Sequence, residues 1–495
     1  MSNSSPIVII AALIDFAMIL CIQLFFETMG KLLHKHKTTV MLFGLMLLAG
    51  KSHAQNTNQL LTKAVKNLLA DSQMKHAIMG LYVVNTTTNE VVFDMNGEAG
   101  LAPASTQKII TAATALELLG TTYQYKTLLG YQGKMNGDSL EGDVVILPSG
   151  DPTFGSSRYV ATKEDMLARW TNKLVATGIK NIKGNVQIES AAWGTQTIPG
   201  GWIWDDMGNY YGAGATAFNW LENKYQLQLK PGKKVGDKAE IVGADPGLYH
   251  VELESELTTG PSRSGDNAYI YLSPYGTKGY IRGTIPLGED PFTIQGSFPD
   301  AGNQFTEFWK EKLYQQQVAF YPEFAPIKKP IYSTTQIIDS VFSPAMDSLV
   351  YWFMQKSINL YGEAMVKTMG LEKAGVGTTE KGLEIMKKFW QERGVDKSAF
   401  KLLDGSGLSP QNRVTAKGLV QVLQYAKAQP WFEAYCQSFP LYNKMKLKSG
   451  TISGAKAFAG YHTAKDGTEY AVAFIINNAD GVITNKMFVV LDALK

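Results

Sequence analysis

The sequence predicts an α/β chain of the α+β kind, in which one domain is split by a large, mostly β insertion. Three observations carry that reading. Helical and strand periodicities are mixed near both ends of the chain; the stretch from about Thr122 to Pro330 breaks into short β-like runs between Gly, Asp, Asn and Pro; and helical spacing returns only after Pro330. Ends that share a character their middle lacks are expected where a domain is interrupted. At 495 residues there is room for about three packing units. We therefore expect an apolar leader over 1–54, a split domain over 55–121 plus 331–495, and an insertion over 122–330 built as two nested, mostly β units.

The elements follow in order. Leu60, Leu61, Ala64, Val65, Leu68 and Leu69 have helical spacing, and the alternation of Ile78, Gly80, Tyr82, Val84 and then Val91, Phe93 predicts a hairpin turning at Asn85 to Asn89. A helix is expected from about Ser105 through Ile109, Ala112, Ala113, Leu116 and Leu119, ending at Gly120 as its C-terminal glycine. Within the insertion, Asp143–Leu147, Asn185–Glu189 and Tyr269–Leu272 read as strands. Beyond it, Ser343–Met369, Thr379–Arg393 and Thr415–Gln429 read as helices, and Lys446–Ser449, Ala457–Thr463 and Tyr470–Asn477 as strands. No internal repeat or low-complexity tract interrupts this pattern.

Composition narrows the class. With 45% apolar and 18% charged residues the chain reads as soluble and globular. Lys+Arg 47 against Asp+Glu 44 gives no sign of a nucleic-acid partner. The two cysteines, Cys21 and Cys436, have neither a C-x-x-C nor a Cys/His spacing, which argues against a disulfide framework and against a zinc site. No metal or organic cofactor is implied.

Residues 1–54 are of another kind. Lys31, Lys35 and Lys37, the apolar run Thr38–Gly50, and Ser52-His53-Ala54 have the form of a secretory signal, with cleavage expected after Ala54. The earlier run, Ile7–Phe26, is long enough to span a bilayer, but Asp15 at its middle costs about 2.5–3.5 kcal/mol. We therefore read translation as starting at Met29, or the extra segment as harmless, in preference to a true anchor. Export to the periplasm or another extracytoplasmic space is expected, with residues 1–54 the candidate for any membrane association. Their removal leaves 43 basic and 42 acidic residues and one cysteine.

Three short motifs stand in order: Ser105-Thr106-Gln107-Lys108, Ser357-Ile358-Asn359 and Lys448-Ser449-Gly450-Thr451. Each has a bland reading alone: a helix start, a polar residue in a helix behind Trp352, Phe353 and Met354, and a strand ending in a turn. Their chemistry is more specific. Ser105 and Lys108, at i and i+3 just past Pro103, share one face of a helix start. There a hydroxyl can pass its proton to a lysine one turn away, while backbone N–H groups favour developing negative charge. Lysine serves as a base only when burial or a second cation pulls its pKa well below about 10.4. Lys448 is the candidate second cation. Together the three match the S-x-x-K, S-D-N and K-T-G set of class A β-lactamases and penicillin-binding proteins.

On these motifs the chain resembles the D-alanyl-D-alanine carboxypeptidase/endopeptidase family of low-molecular-mass penicillin-binding proteins, of the class C type. Ser105 and Ser357 lie 252 residues apart, a long gap that sets this family apart from compact β-lactamases. The resemblance extends to Gly150-Asp151-Pro152-Thr153-Phe154, to Asp404-Gly405-Ser406-Gly407-Leu408-Ser409, and to Ala459-Gly460-Tyr461. It implies a two-lobed transpeptidase-like domain, an antiparallel sheet flanked by helices, from which the insertion projects. It implies also that Ser105 is the acylated nucleophile and Lys108 its proton acceptor, that Ser357 relays a proton to the leaving amine, and that Asn359 holds the substrate amide. Lys448 would set the electrostatics and help recognise the substrate carboxylate, with Ser449 and Gly450 beside it, and the N–H groups of Ser105 and Thr451 would form an oxyanion hole. Ser449 stands where Thr is usual and keeps the hydroxyl. Asp404 and Ser406 are candidates for a supporting role, though their two neighbouring glycines also fit a plain tight turn.

The expected substrates are peptidoglycan stem peptides and cross-links, with β-lactams as covalent inhibitors. A Ser-His-Asp scheme fails on histidines: His34, His36 and His53 leave with the signal, and His76, His250 and His462 have no triad-like context. Gly137-Asp138-Ser139-Leu140 matches a lipase-like string but reads as a hairpin turn. A β-lactamase, or a catalytically silent envelope-binding protein, is the alternative. The balance of carboxypeptidase and endopeptidase action, the preferred third residue of the stem peptide and the oligomeric state stay open at this level.

Overall fold

The computed structural model describes residues 56–159, 165–322 and 335–495. The leader with its expected cleavage point, Cys21 and the expected boundary at 330 lie outside the described residues. The chain resolves into two compact units, 1–66 and 67–495, and in the first the described residues are helical. Among the described residues no helix is long and apolar enough to cross a membrane.

Within the second unit, both ends of the chain build one six-stranded sheet. We label its strands β1 (Ile78–Asn85), β2 (Val91–Met95), β3 (Leu441–Tyr442), β4 (Met445–Ile452), β5 (Ala455–Thr463) and β6 (Glu469–Asn477). Their spatial order is β3-β4-β5-β6-β1-β2, antiparallel throughout. The decisive pairing is β1 with β6, in register from Ile78 opposite Asn477 to Asn85 opposite Tyr470. Residues nearly 400 apart in sequence thereby become neighbours, and β4, which bears the third motif, lies near one edge of the sheet. The hairpin between β1 and β2 turns at Asn85–Asn89, where Asn89 takes φ 59°, a left-handed conformation that asparagine tolerates.

Ala416–Lys427 packs on this sheet, α1 (Lys108–Leu118) packs on that helix, α2 (Met346–Gln355) and α3 (Asn359–Ala374) pack on α1, and Thr379–Gln391 packs on α3. α1 is buried from Lys108 to Leu116 and α3 from Asn359 to Gly370. Ile109, Ile110, Phe353, Met365, Leu419 and Ile475 share one hydrophobic core. Burying each such side chain stabilises the fold by about 1.5–3 kcal/mol. α1 stops at Leu119, followed by Gly120 at φ 91°, the glycine stop read from the sequence.

The expected single helical run over Ser343–Met369 is instead two helices, α2 and α3. The break falls at Lys356–Ile358, where Ser357 adopts φ 57°, a conformation no α-helix contains. Ser357 is therefore a corner between helices and not a polar residue inside one.

In the described part of the stretch between α1 and α2, strand residues outnumber helical ones. Lys126–Asn136 and Ser139–Leu147 form a hairpin, and Gln336–Phe342 pairs antiparallel with Lys126–Asn136. The Gly137–Asp138 pair is the turn of that hairpin. Lys224–Lys230 lies between Phe292–Ser297 and Glu240–Asp245 in a three-stranded sheet, and a further sheet is centred on Lys278–Pro286. These sheets, with the helices Met166–Val175 and Ala301–Gln315, share a second core in which Phe154, Trp170, Phe218, Phe305 and Trp309 pack ring against ring.

Candidate active site

Ser105 sits where a tight turn becomes a helix. Ala104–Gln107 form a 3₁₀ turn that runs into α1, so the expected α-helical start at Ser105 is a narrower helix. A 3₁₀ helix has three residues per turn and eclipses side chains at i and i+3. Lys108 Nζ accordingly donates to Ser105 Oγ at 3.0 Å. The preceding Ala104 has φ 46°, a left-handed backbone that costs a residue with a side chain roughly 1–3 kcal/mol. It is held from the far side by Gly407, where a methyl group would stand 2.0 Å from the Ala104 carbonyl oxygen.

Lys108 is wholly buried. Besides Ser105 it donates to Asn359 Oδ1 at 2.6 Å and to the Ser406 carbonyl at 2.7 Å. Burial, and next the charge of Lys448, hold its pKa well below the ordinary lysine value, against the opposite pull of Asp404 and Glu363. Lys448 is itself almost fully buried and is pushed down to about 7, by burial first and then by Lys456. A lysine in this setting sheds its proton far more readily than one in water.

The second motif meets the first through Asn359. Its Oδ1 receives Lys108, while its Nδ2 donates to the Tyr211 carbonyl at 2.8 Å, so one amide joins α1 to the stretch between α1 and α2. The third motif meets it through Gly450. A Cβ there would lie 2.6 Å from the Pro103 oxygen, 2.9 Å from the Ser105 nitrogen and 3.0 Å from the Thr106 nitrogen, so only glycine lets β4 lie this close to the Ala104–Gln107 turn. Lys448 Nζ donates to the Ser449 carbonyl at 3.0 Å, and Lys456 Nζ to Thr451 Oγ1 at 2.7 Å.

Ser105, Ser357, Asn359 and Thr451 all line one cleft of about 1050 Å³. Lys108, Lys448 and Gly450 are buried and Ser449 is half-buried, and none of the four lines it. The stretch between α1 and α2 also contributes to the lining, with Arg158, Asp205, Asp206, Tyr211 and Tyr269. Burial, then the neighbouring Asp205, push Asp206 up to about 6.

Asp404 and Ser406 lie behind the cleft as well. Asp404 is fully buried and its carboxylate receives the N–H groups of Gly407 and Ser409, Asn412 Nδ2, Gln107 Nε2 and Trp202 Nε1, at 2.6–3.0 Å. It fixes the loop and the carbonyl that Ser406 turns towards Lys108. The tight-turn reading and the supporting-role reading therefore describe one arrangement.

A model of the D-Ala-D-Ala carboxypeptidase 3 (S13) family matches residues 61–493. The chain belongs to this family. It is thereby a serine-peptidase hydrolase of the D-Ala-D-Ala carboxypeptidase kind. A D-alanyl-D-alanine carboxypeptidase of Actinomadura sp. (strain R39) is 26% identical over 464 residues, covering 88% of this chain and 84% of that protein. The D-alanyl-D-alanine carboxypeptidase DacB of Haemophilus influenzae is 22% identical over 419 residues, covering 81% and 85%. The crystal structure of penicillin binding protein 4 from Haemophilus influenzae has the same fold, with a TM-score of 0.72 at 20% identity over 86% of this chain and 98% of that one. The transpeptidase-like fold implied by the resemblance is thus the fold of the S13 chain.

Sequence reasoning passed over four groups that build this site: Trp202, Tyr211, Glu363 and Lys367. One signal was available. Asn359, Glu363 and Lys367 recur every four residues and so form a polar stripe on α3, a helix otherwise buried over this span. Glu363 receives the Gly405 N–H, and Lys367 Nζ donates to the carbonyls of Gln196 and Ala215, each at 2.7 Å.

Proposed function

We propose that Ser105 is the nucleophile of this D-Ala-D-Ala carboxypeptidase and Lys108 its base. The observation that carries this reading is the 3.0 Å contact between Lys108 Nζ and Ser105 Oγ, made by a lysine whose burial and cationic neighbour favour the neutral amine. Ser105 Oγ attacks the carbonyl carbon of the penultimate D-Ala as its proton passes to Lys108 Nζ. The oxyanion faces the N–H groups of Ser105 and Thr451, a kind of contact worth about 2.7–4 kcal/mol per donor. The C–N bond then breaks, Ser357 relays a proton to the departing amine, and an ester remains on Ser105. Water cleaves that ester, returning the hydroxyl and releasing the shortened peptide. Asn359 holds the substrate amide, and Lys448 and Ser449 receive its carboxylate.

The same reading assigns residues 55–121 plus 331–495 to catalysis and 122–330 to an insertion that walls the cleft. Cross-linked peptides differ from stem-peptide ends only in the leaving amine, so endopeptidase action needs no further chemistry. Asp205, Asp206 and Asp266 on the insertion side suit a stem peptide carrying an ammonium group. Peptidoglycan lies outside the cytoplasm, and there the enzyme acts; β-lactams enter the same cleft and acylate the same oxygen.

Intact-protein mass spectrometry after exposure to benzylpenicillin tests the reading, with Ser105→Ala as control. A lasting adduct on the wild-type protein and none on the variant supports it. Adduct formation on Ser105→Ala, or release of D-Ala by that variant, would sink it. Rapid hydrolysis without a lasting adduct would favour a β-lactamase.

A further inference from the structure

Glu363 is fully buried on α3 beneath the nucleophile, and no step described so far uses it. Both carboxylate oxygens receive one backbone group, the Gly405 N–H, at 3.1 and 3.0 Å. The two carbonyls that follow that N–H in the chain point to α1: Thr111 Oγ1 donates to the Gly405 oxygen at 2.6 Å, and Lys108 Nζ to the Ser406 oxygen at 2.7 Å. The loop can approach α3 this closely because both partners are glycine. A methyl on Gly405 would meet the Gly362 oxygen at 2.6 Å, and one on Gly362 the Gly405 oxygen at 3.1 Å.

The groups facing this carboxyl come from every element around it. Lys108 reaches it from α1, Asp404 and the Ser406 hydroxyl from the loop, and Lys367 from the next turn of α3; Lys448 on β4 acts on it through Lys108. Burial first, and Asp404 second, push Glu363 up to about 8, while the Gly405 N–H, Ser406 and Lys108 oppose them. Its charge is felt by Lys108, whose proton affinity it raises against the effects of burial and Lys448.

Resting on Ser105 and Lys108 as nucleophile and base, we propose that Glu363 is a positioning residue for acylation. Through the Gly405 N–H it presents the Ser406 carbonyl to Lys108, and through its charge it sets how firmly Lys108 holds its proton. An ionised Glu363 favours the ammonium form, so proton loss from Lys108 is resisted as long as the carboxylate is present. The charge of each group thus biases the proton affinity of the other.

The test is the rate of acylation by a chromogenic β-lactam from pH 5 to 10, for the wild type, Glu363→Gln and Glu363→Ala, with thermal unfolding recorded for each. Glutamine keeps an acceptor for the Gly405 N–H and removes the charge. Its acid limb should move to lower pH by about half a unit and follow a single proton, with the plateau lowered less than about threefold. Alanine removes the acceptor too, and its plateau should fall by about tenfold or more. A limb unmoved in Glu363→Gln, or equal plateau losses in both variants, would overturn the proposal. The wild type gives a second measure independent of either variant's folding: its limb should be broader than a one-proton curve, and a one-proton limb counts against the pairing. A wild-type protein that forms no adduct would instead reject the assignment of Ser105 and Lys108.

Discussion

Gly450 and Ser105 meet backbone to backbone: a Cβ on Gly450 would stand 2.9 Å from the Ser105 nitrogen, with the Pro103 oxygen nearer still. Neither group is the end of a flexible side chain, so an added methyl must push β4 and the nucleophile turn apart. Gly450→Ala should therefore slow benzylpenicillin acylation by about 10²–10³, the loss expected when one oxyanion donor is misplaced, while the far-UV circular dichroism stays that of the wild type. Acylation within threefold of wild type would show that the two N–H groups do not act together.

The charge of Lys448 predicts a direction. With Lys108 as the base proposed above, acylation needs the neutral amine, so its rate should rise with pH along an acid limb set by the Lys108 pKa. Lys448 stands second after burial among the causes that lower that pKa. In Lys448→Met this like charge is gone and Lys108 keeps its proton to higher pH, so the limb should move up by about one unit. This is opposite to the shift expected for Glu363→Gln. A pH–rate profile of acylation checks it, and a limb that stays or falls would remove Lys448 from that role.

The ion pair in the wall of the cleft should show in acid unfolding. Glu222, almost fully buried, receives Arg158 Nε at 2.8 Å and Tyr361 Oη at 2.8 Å, with Lys224 Nζ at 2.9 Å. Burial acts to raise its pKa, but Arg158 and Lys224 outweigh it and hold the group down at about 2, below the ordinary 4.5. A carboxyl depressed in the folded state contributes stability that is complete above its unfolded pKa and is lost as pH falls through the folded one. Glu222→Gln should thus be less stable than wild type by about 2–3 kcal/mol at pH 7, with the gap closing between pH 4.5 and 2. Urea unfolding across that range measures it, and a gap independent of pH would assign the loss to packing.

Lys367 predicts a structural effect. Its ammonium donates to the carbonyls of Gln196 and Ala215, pinning the inserted stretch to α3. Lys367→Met leaves both oxygens without that donor, a penalty of about 1–3 kcal/mol each, partly offset because a buried charge is also removed. The melting temperature should fall by roughly 5 °C, and limited proteolysis between residues 193 and 216 should quicken. Unchanged proteolysis there would mean the stretch is held by its other contacts, such as Trp202 on Asp404.

The local features could be read because they have local causes. The glycine stop of α1, the hairpin at Asn85–Asn89 and the strands β4 to β6 follow from periodicity and turn chemistry alone. Ser105 and Lys108 were legible as a pair because three residues along a helix start bring two side chains together whatever surrounds them. The corner at Ser357 was not legible, because the flanking residues keep helical spacing and only packing of α2 and α3 forces the backbone to φ 57°.

The sequence by itself determined the three motifs, their order, the long gap between the first two, and hence the class of chemistry. Tertiary structure alone decided what makes that chemistry workable: the burial that depresses Lys108, the pairing of β1 with β6 that joins residues nearly 400 apart, and the cleft lining supplied by residues between α1 and α2. The reason is physical. The Ser406 oxygen that receives Lys108, the Tyr211 oxygen that receives Asn359, and the Gln196 and Ala215 oxygens that receive Lys367 are backbone carbonyls. Every residue owns one, so no residue type marks them, and only the fold decides which of them faces a buried cation.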